Sequence, residues 1–251
     1  MLNLIINADD LGLTPGCNQG IIKALTDGIV TDTTLLINTD YTQHAVELVK
    51  LHNINRVGLH LNLTWGQPLL PSREVPSLVD ENGRFRRKAA EAVTYMKPSE
   101  IKRELTAQVE KFQATGLGLT HLDSHHHVHT YPEVLDIAID LAREVGVPLR
   151  QGNMVVCQAI RSACAITTDA ISLDFYEQGA TLEKLQEIIK NQRYGTLEIM
   201  CHPAEPEQLL YDISSYNVWR TQELSVLTSA VMREFLEANN VRLMGFDGLQ
   251  A

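Results

Sequence analysis

Two hydrophobic rhythms alternate along this chain. Short apolar or β-branched runs, of a length that suits strands, cover Leu2 to Ala8, Thr31 to Asn38, Arg56 to Leu63, Leu119 to Asp123 and Thr196 to Cys201. Between them, apolar positions recur at three- and four-residue intervals and predict helices. These cover Gly16 to Asp27 (closed by Gly28), Tyr41 to His52, Ser99 to Thr115, Pro132 to Val145 (stopped by Gly146), Leu182 to Asn191 and Trp219 to Asn239. Val147 to Arg150 and Val241 to Met244 predict two more short strands, and Gln151 to Ala180 one or two at most. Residues 65–97 break the rhythm with proline, charge and turn signals, and predict an insertion or lid after the third strand.

Seven or so β/α alternations favour a parallel sheet, and a chain of 251 residues can close it into a single-domain, distorted β/α barrel. An open doubly wound sheet fits the same periodicity, which does not encode closure. No G-x-G-x-x-G follows the first strand, which argues against a dinucleotide fold.

Charge narrows the partners. Lys and Arg total 21 against 31 Asp and Glu, a formal charge of −10, and such a surface repels nucleic acid and anionic membranes. Four cysteines without a C-x-x-C pair predict reduced, mostly buried thiols. The N-terminal apolar run is too short for a signal peptide and no stretch reaches the ~20 apolar residues of a membrane span, so a cytoplasmic protein is expected.

The chemistry collects at strand ends. Asp9 and Asp10 close the first strand, His60 lies near the end of the third, and His202, held extended by Pro203, follows a late one. His121 to His129 place five of nine histidines in nine residues after a middle strand. In a β/α barrel these ends share one rim, where active sites are built. Neutral imidazoles with a carboxylate suit a catalytic metal with an open position. One of Asp9 and Asp10 is expected to bind it and the other to face the water it activates. His125 is the member of the run nearest the rim; His126, His127 and His129 are expected behind it, toward substrate or at the surface. His202, which titrates near neutrality, is the candidate general acid. Two imidazoles point to zinc rather than magnesium. Metal-dependent phosphoester hydrolysis would want two or three ions and more ligands, and a non-catalytic metal- or sugar-binding module would bind without turnover.

Asn7-Ala-Asp9-Asp10-Leu-Gly12, Gly58-Leu-His60, Thr120-His-Leu-Asp-Ser-His125-His-His-Val-His129 and Met200-Cys-His202-Pro203 resemble the motifs of the YdjC-like carbohydrate deacetylases, the chitooligosaccharide deacetylases among them. The resemblance runs nearly end to end, departing at Leu11, where Phe is common. It implies a distorted barrel similar to polysaccharide deacetylases, often a homodimer, that removes N-acetyl groups from small acetylated oligosaccharides. It implies that Asp10, His60 and His125 hold one divalent ion, described for the family as Mg2+. It also implies that Asp9 is the base and His202 the acid that protonates the leaving amine. Trp65, Tyr131 and Tyr216 are candidates for stacking on sugar faces.

Overall fold

A computed structural model describes residues 1–249. The elements, in order, are β1 (Leu2–Leu11), α1 (Pro15–Asp27), β2 (Asp32–Leu35), α2 (Thr42–Leu51), β3 (Val57–Leu61), α3 (Ala89–Ala92), α4 (Pro98–Gln113), β4 (Leu119–Ser124), α5 (Pro132–Val145), α6 (Met154–Ser162), β5 (Ala170–Ser172), α7 (Leu182–Asn191), β6 (Gly195–Cys201), α8 (Gln208–Ile213), α9 (Val218–Leu227), α10 (Ala230–Ala238) and β7 (Arg242–Leu243).

All strand pairs are parallel, in the order β4-β3-β2-β1-β6-β5. β6 pairs with one edge of β1 from Leu2 to Ala8; the first half of the other edge takes β7 and the second half takes β2. The sheet curls without a regular closing ladder. Between β4 and β5 the gap is crossed by the segment 147–150, whose Leu149 forms a single parallel bridge to Leu122 and donates to Ile166 O at 2.9 Å. The strand expected at Val147 to Arg150 is therefore reduced to one bridge, and the barrel is the distorted one.

Alternation along the strands explains what the curl encloses. Leu4, Ile6 and Ala8 of β1, Val57, Leu59 and Leu61 of β3, and Leu197, Ile199 and Cys201 of β6 join the apolar core under the helices. Their neighbours on the other face, Asn7, Asp9, His60 and Glu198, are equally buried but polar, and bond to one another or to shared partners. The interior of this barrel is thus a hydrogen-bonded polar network, where barrels of this kind are commonly filled by layers of branched apolar side chains.

Most helices form where expected, and their caps say why. Thr14 accepts from Cys17 N–H before Pro15, and Gly146 takes the left-handed conformation (φ 72°) that ends α5. Two predictions fail locally. Met154–Ser162, inside the stretch where only one or two short strands are expected, is a helix, because Asn153 caps the N–H groups of Val155 and Val156, while Val156, Cys157 and Ile160 share a buried face. The long helix expected over Trp219 to Asn239 is two: Thr228 bonds back to Leu224 O, and Ser229 starts a new helix by accepting from Met232 N–H. α8 was not expected at all.

The 65–97 excursion holds one antiparallel bridge (Val79 to Phe85) and α3. It is tied down by the buried face of α4. Glu104 accepts from Leu69 and Leu70 N–H at 2.9 and 3.1 Å, and Glu100 from the N–H and hydroxyl of Ser77, both at 2.7 Å. All four cysteines are free; Cys17, Cys157 and Cys201 are buried. Among the described residues no helix is long and apolar enough to cross a membrane.

Candidate active site

A cavity of about 340 Å³ opens where β1, β3, β4 and β6 end, and Asp9, Asp10, His60, His125 and His202 all line it. The five residues singled out in the sequence are therefore brought together. The way Asp9 and Asp10 share it was not foreseen. Adjacent strand residues point to opposite faces, but the pairing of β1 with β2 slips between Ala8 and Leu11, and Asp10 turns to φ 69°. The bulge re-aims the second carboxylate so that both face the same space. Leu11 falls in the apolar core, away from the cavity wall.

Asp10, His60 and His125 each bring a donor atom within 4.8 Å of the others, all three buried. Asp10 Oδ1 accepts from His125 Nδ1 at 2.8 Å and lies 3.4 Å from His60 Nε2. Its other oxygen takes Arg220 at 2.6 Å. His60 Nδ1 donates to Asp123 Oδ1 at 2.7 Å, which fixes the ring and leaves Nε2 toward Asp10. A carboxylate behind an imidazole is the usual support of a metal-binding histidine. Burial opposes a charge on His60, yet Asp123 and Asp10 outweigh it and raise its pKa to about 10. The cluster is thus built to receive positive charge, and one carboxylate with two imidazoles fits a divalent ion.

Asp9 is held from behind. Arg150, wholly buried, donates to both its oxygens at 2.6 and 2.7 Å, and Asn7 adds a third bond at 2.8 Å. Burial pushes the Asp9 carboxyl up, but Arg150 more than compensates and keeps it below the usual carboxylate range. Arg150 also bonds Asp123 at 2.8 Å and Glu198 at 2.5 Å, so one guanidinium gathers three carboxylates. Burial raises Glu198 to about 7, partly offset by Arg150.

Across the cavity His202 stands with its rings of neighbours edge-on: Tyr176 and Tyr216, which stack on each other at 4.0 Å. Burial, then Arg220, lower His202 to about 3. Its backbone N–H and the Tyr216 hydroxyl both donate to buried Glu223, which also lies 4.0 Å from His202 Nδ1. Burial lifts Glu223 to about 8. Among the aromatic candidates, Trp65 lines the cavity with one face under Arg87 at 4.2 Å, and Tyr216 lines it beneath Tyr176. Tyr131 is not among the lining residues and packs on the core.

The other histidines of the dense run separate by task. His121 stacks on Phe246 at 3.8 Å and donates to Asn7 Oδ1 at 3.0 Å. His129 accepts from Ser124 Oγ and donates to Arg150 O at 3.0 Å, shaping the turn. His126 and His127 line the cavity. Sequence reading missed Asp123, Arg150, Glu198, Arg220 and Glu223. A charge within or ending an apolar strand, as with Asp123, Arg150 and Glu198, was a usable signal, since a buried charge needs a partner. Arg220 and Glu223 look like ordinary helix charges and gave none.

The chain matches the family of YdjC-like proteins over residues 3–238. It is 42% identical over 250 residues to a carbohydrate deacetylase of Brevibacillus brevis, covering 99% of this chain and 100% of that one. It is also similar to a crystal structure from Enterococcus faecalis V583 described as a candidate cellobiose-phosphate cleavage protein (TM-score 0.93, 33% identity, 98% of this chain and 97% of that one). A family 4 carbohydrate esterase from Streptomyces lividans in complex with acetate shares the fold alone, at TM-score 0.53 and 11% identity, covering 96% of this chain and 91% of that one.

Proposed function

The chain belongs to the YdjC-like family, and from that membership we propose that it is a carbohydrate deacetylase, hydrolysing N-acetyl groups of small acetylated carbohydrates such as chito-oligosaccharides. One observation carries the reading: Asp10, His60 and His125 converge to within 4.8 Å beside Asp9 and His202 in one cavity. In this reading Asp10, His60 and His125 hold a single divalent ion. Two imidazoles suit zinc or a similar transition ion, and the family resemblance points to magnesium. When bound, such an ion would polarise an acyl carbonyl and lower the pKa of water toward ~7.

The chain's own residues do the rest. Asp9, kept ionised and fixed at both oxygens by Arg150, accepts a proton from the attacking water. His202 delivers a proton to the sugar nitrogen as the C–N bond breaks. Its low pKa leaves it neutral at rest, so the proton it delivers is the one that Asp9 has taken from the water and passed on before the C–N bond breaks. Glu223, which burial keeps protonated near neutral pH, fixes the His202 backbone by accepting its N–H. Asp123 holds His60 through one oxygen and Arg150 through the other, and so sets the ion's ligand and the base in one frame. Residues 65–97 lend Trp65 and Arg87 to the cavity wall and act as its cover.

The test is acetate release from N-acetylated chito-oligosaccharides, before and after chelation, with metal analysis of the purified protein. Release that stops with chelator and returns with one ion per chain is expected. No acetate from any N-acetylated sugar, with the ion restored, would overturn the reading.

A further inference from the structure

His126 and His127 follow one another in the left-handed region, at φ 53° and φ 51°. A single non-glycine residue there is uncommon, and strained backbone of this kind clusters at functional sites. The surrounding turn over-determines it. Ser124 Oγ accepts from His129 N–H at 3.0 Å, and Thr130 Oγ1 donates to His127 O at 2.8 Å.

Every other histidine in the run has a partner: His121 has Asn7, His125 has Asp10, His126 bonds Thr64 Oγ1 at 3.1 Å, and His129 has Ser124. His127 differs. Among the described residues its buried Nδ1 has no hydrogen-bond partner, and its ring lines the cavity. Such orphaned groups are rare enough in native proteins to need an explanation. Its ring lines the same cavity as Asp9 and His202. The left-handed backbone therefore holds an imidazole with an unpartnered nitrogen in the wall of the cavity that Asp9 and Asp10 also line.

Resting on the deacetylase reading, we infer that His127 is a further catalytic residue, donating a ring N–H to the acyl oxygen of the substrate as negative charge develops there. A neutral imidazole carries one N–H, and His127 donates in the tautomer that places that hydrogen toward the acyl oxygen. A donor fixed in advance by strained backbone needs no reorganisation when the charge appears, which is what makes such groups effective.

Two variants separate this role from a structural one. Glycine adopts the left-handed backbone freely and deletes the ring, whereas asparagine tolerates that backbone and restores an N–H donor. In the metal-loaded protein, His127→Gly is expected to lower kcat for acetate release about 10²–10³-fold. KM should change little and Tm should hold or rise, while His127→Asn recovers part of kcat. An active wild type with His127→Gly within about threefold of its kcat overturns the inference and leaves the deacetylase reading standing. So does an equal loss in both variants accompanied by a fall in Tm. A wild type that releases no acetate removes both.

Discussion

Asp9 and Asp10 show how much a single backbone angle decides. Were Asp10 to continue β1 as ordinary strand, its carboxylate would leave the cavity; at φ 69° it meets His125 and Arg220 instead. The two acids then differ only in what stands behind them. Arg150 claims both oxygens of Asp9, while Asp10 keeps one oxygen facing the imidazoles. Asp9→Asn should therefore retain the ion, read by metal analysis, yet lose roughly 10²–10⁴-fold in kcat, the usual worth of a general base. A variant with wild-type turnover would remove Asp9 from that role. That both residues would face one rim was legible in the sequence from their place at a strand end. Their division of labour was not, because it depends on Arg150, 141 residues away.

At the scale of elements, α4 does two jobs with one face. Ile101, Leu105, Val109 and Phe112 pack on the core, while Glu100, Glu104 and Gln108, spaced four apart, run alongside them and are also buried. This polar column takes up backbone N–H groups of the excursion and of Asn62. Glu104→Ala would leave the Leu69 and Leu70 N–H groups without an acceptor. It should lower stability in urea melts by about 1–3 kcal/mol, with proteolysis starting inside 65–97. Cleavage starting elsewhere would mean that the excursion is held by other contacts. The amphipathic period of α4 was readable; that three polar residues belonged to its buried side was not, since burial of a charge is decided by what packs against it.

At the scale of the molecule, the C-terminal segment closes the lower end of the barrel. β7 pairs with β1, Phe246 stacks on His121, and Phe246 N–H donates to Asp32 Oδ1 at 3.1 Å. Asp32 is buried with Oδ2 unpartnered among the described residues. Burial raises its pKa to about 7 from 3.8. Between those values the folded chain keeps a proton that the unfolded chain has released, so stability falls as pH rises through that window and is level above it. Asp32→Asn removes this loss. It should be more stable than wild type at pH 8, by at most about 4 kcal/mol, with the difference closing by about pH 4. A difference independent of pH in thermal melts would rule out Asp32 as its source.

Local order was written in the chain itself. Hydrophobic period and caps placed α1, α5 and α7 nearly to the residue, because these depend on neighbours within a turn or two, and the strand-end acids and histidines pointed to one rim. Tertiary contact decided the rest. Arg150 sits in a segment with only one bridge to the sheet, yet it gathers Asp9, Asp123 and Glu198; α9 carries Arg220 to Asp10 and Glu223 to His202. Such pairings join charges far apart along the chain, and only the curl of the sheet brings them into the low-dielectric space where each must find a partner.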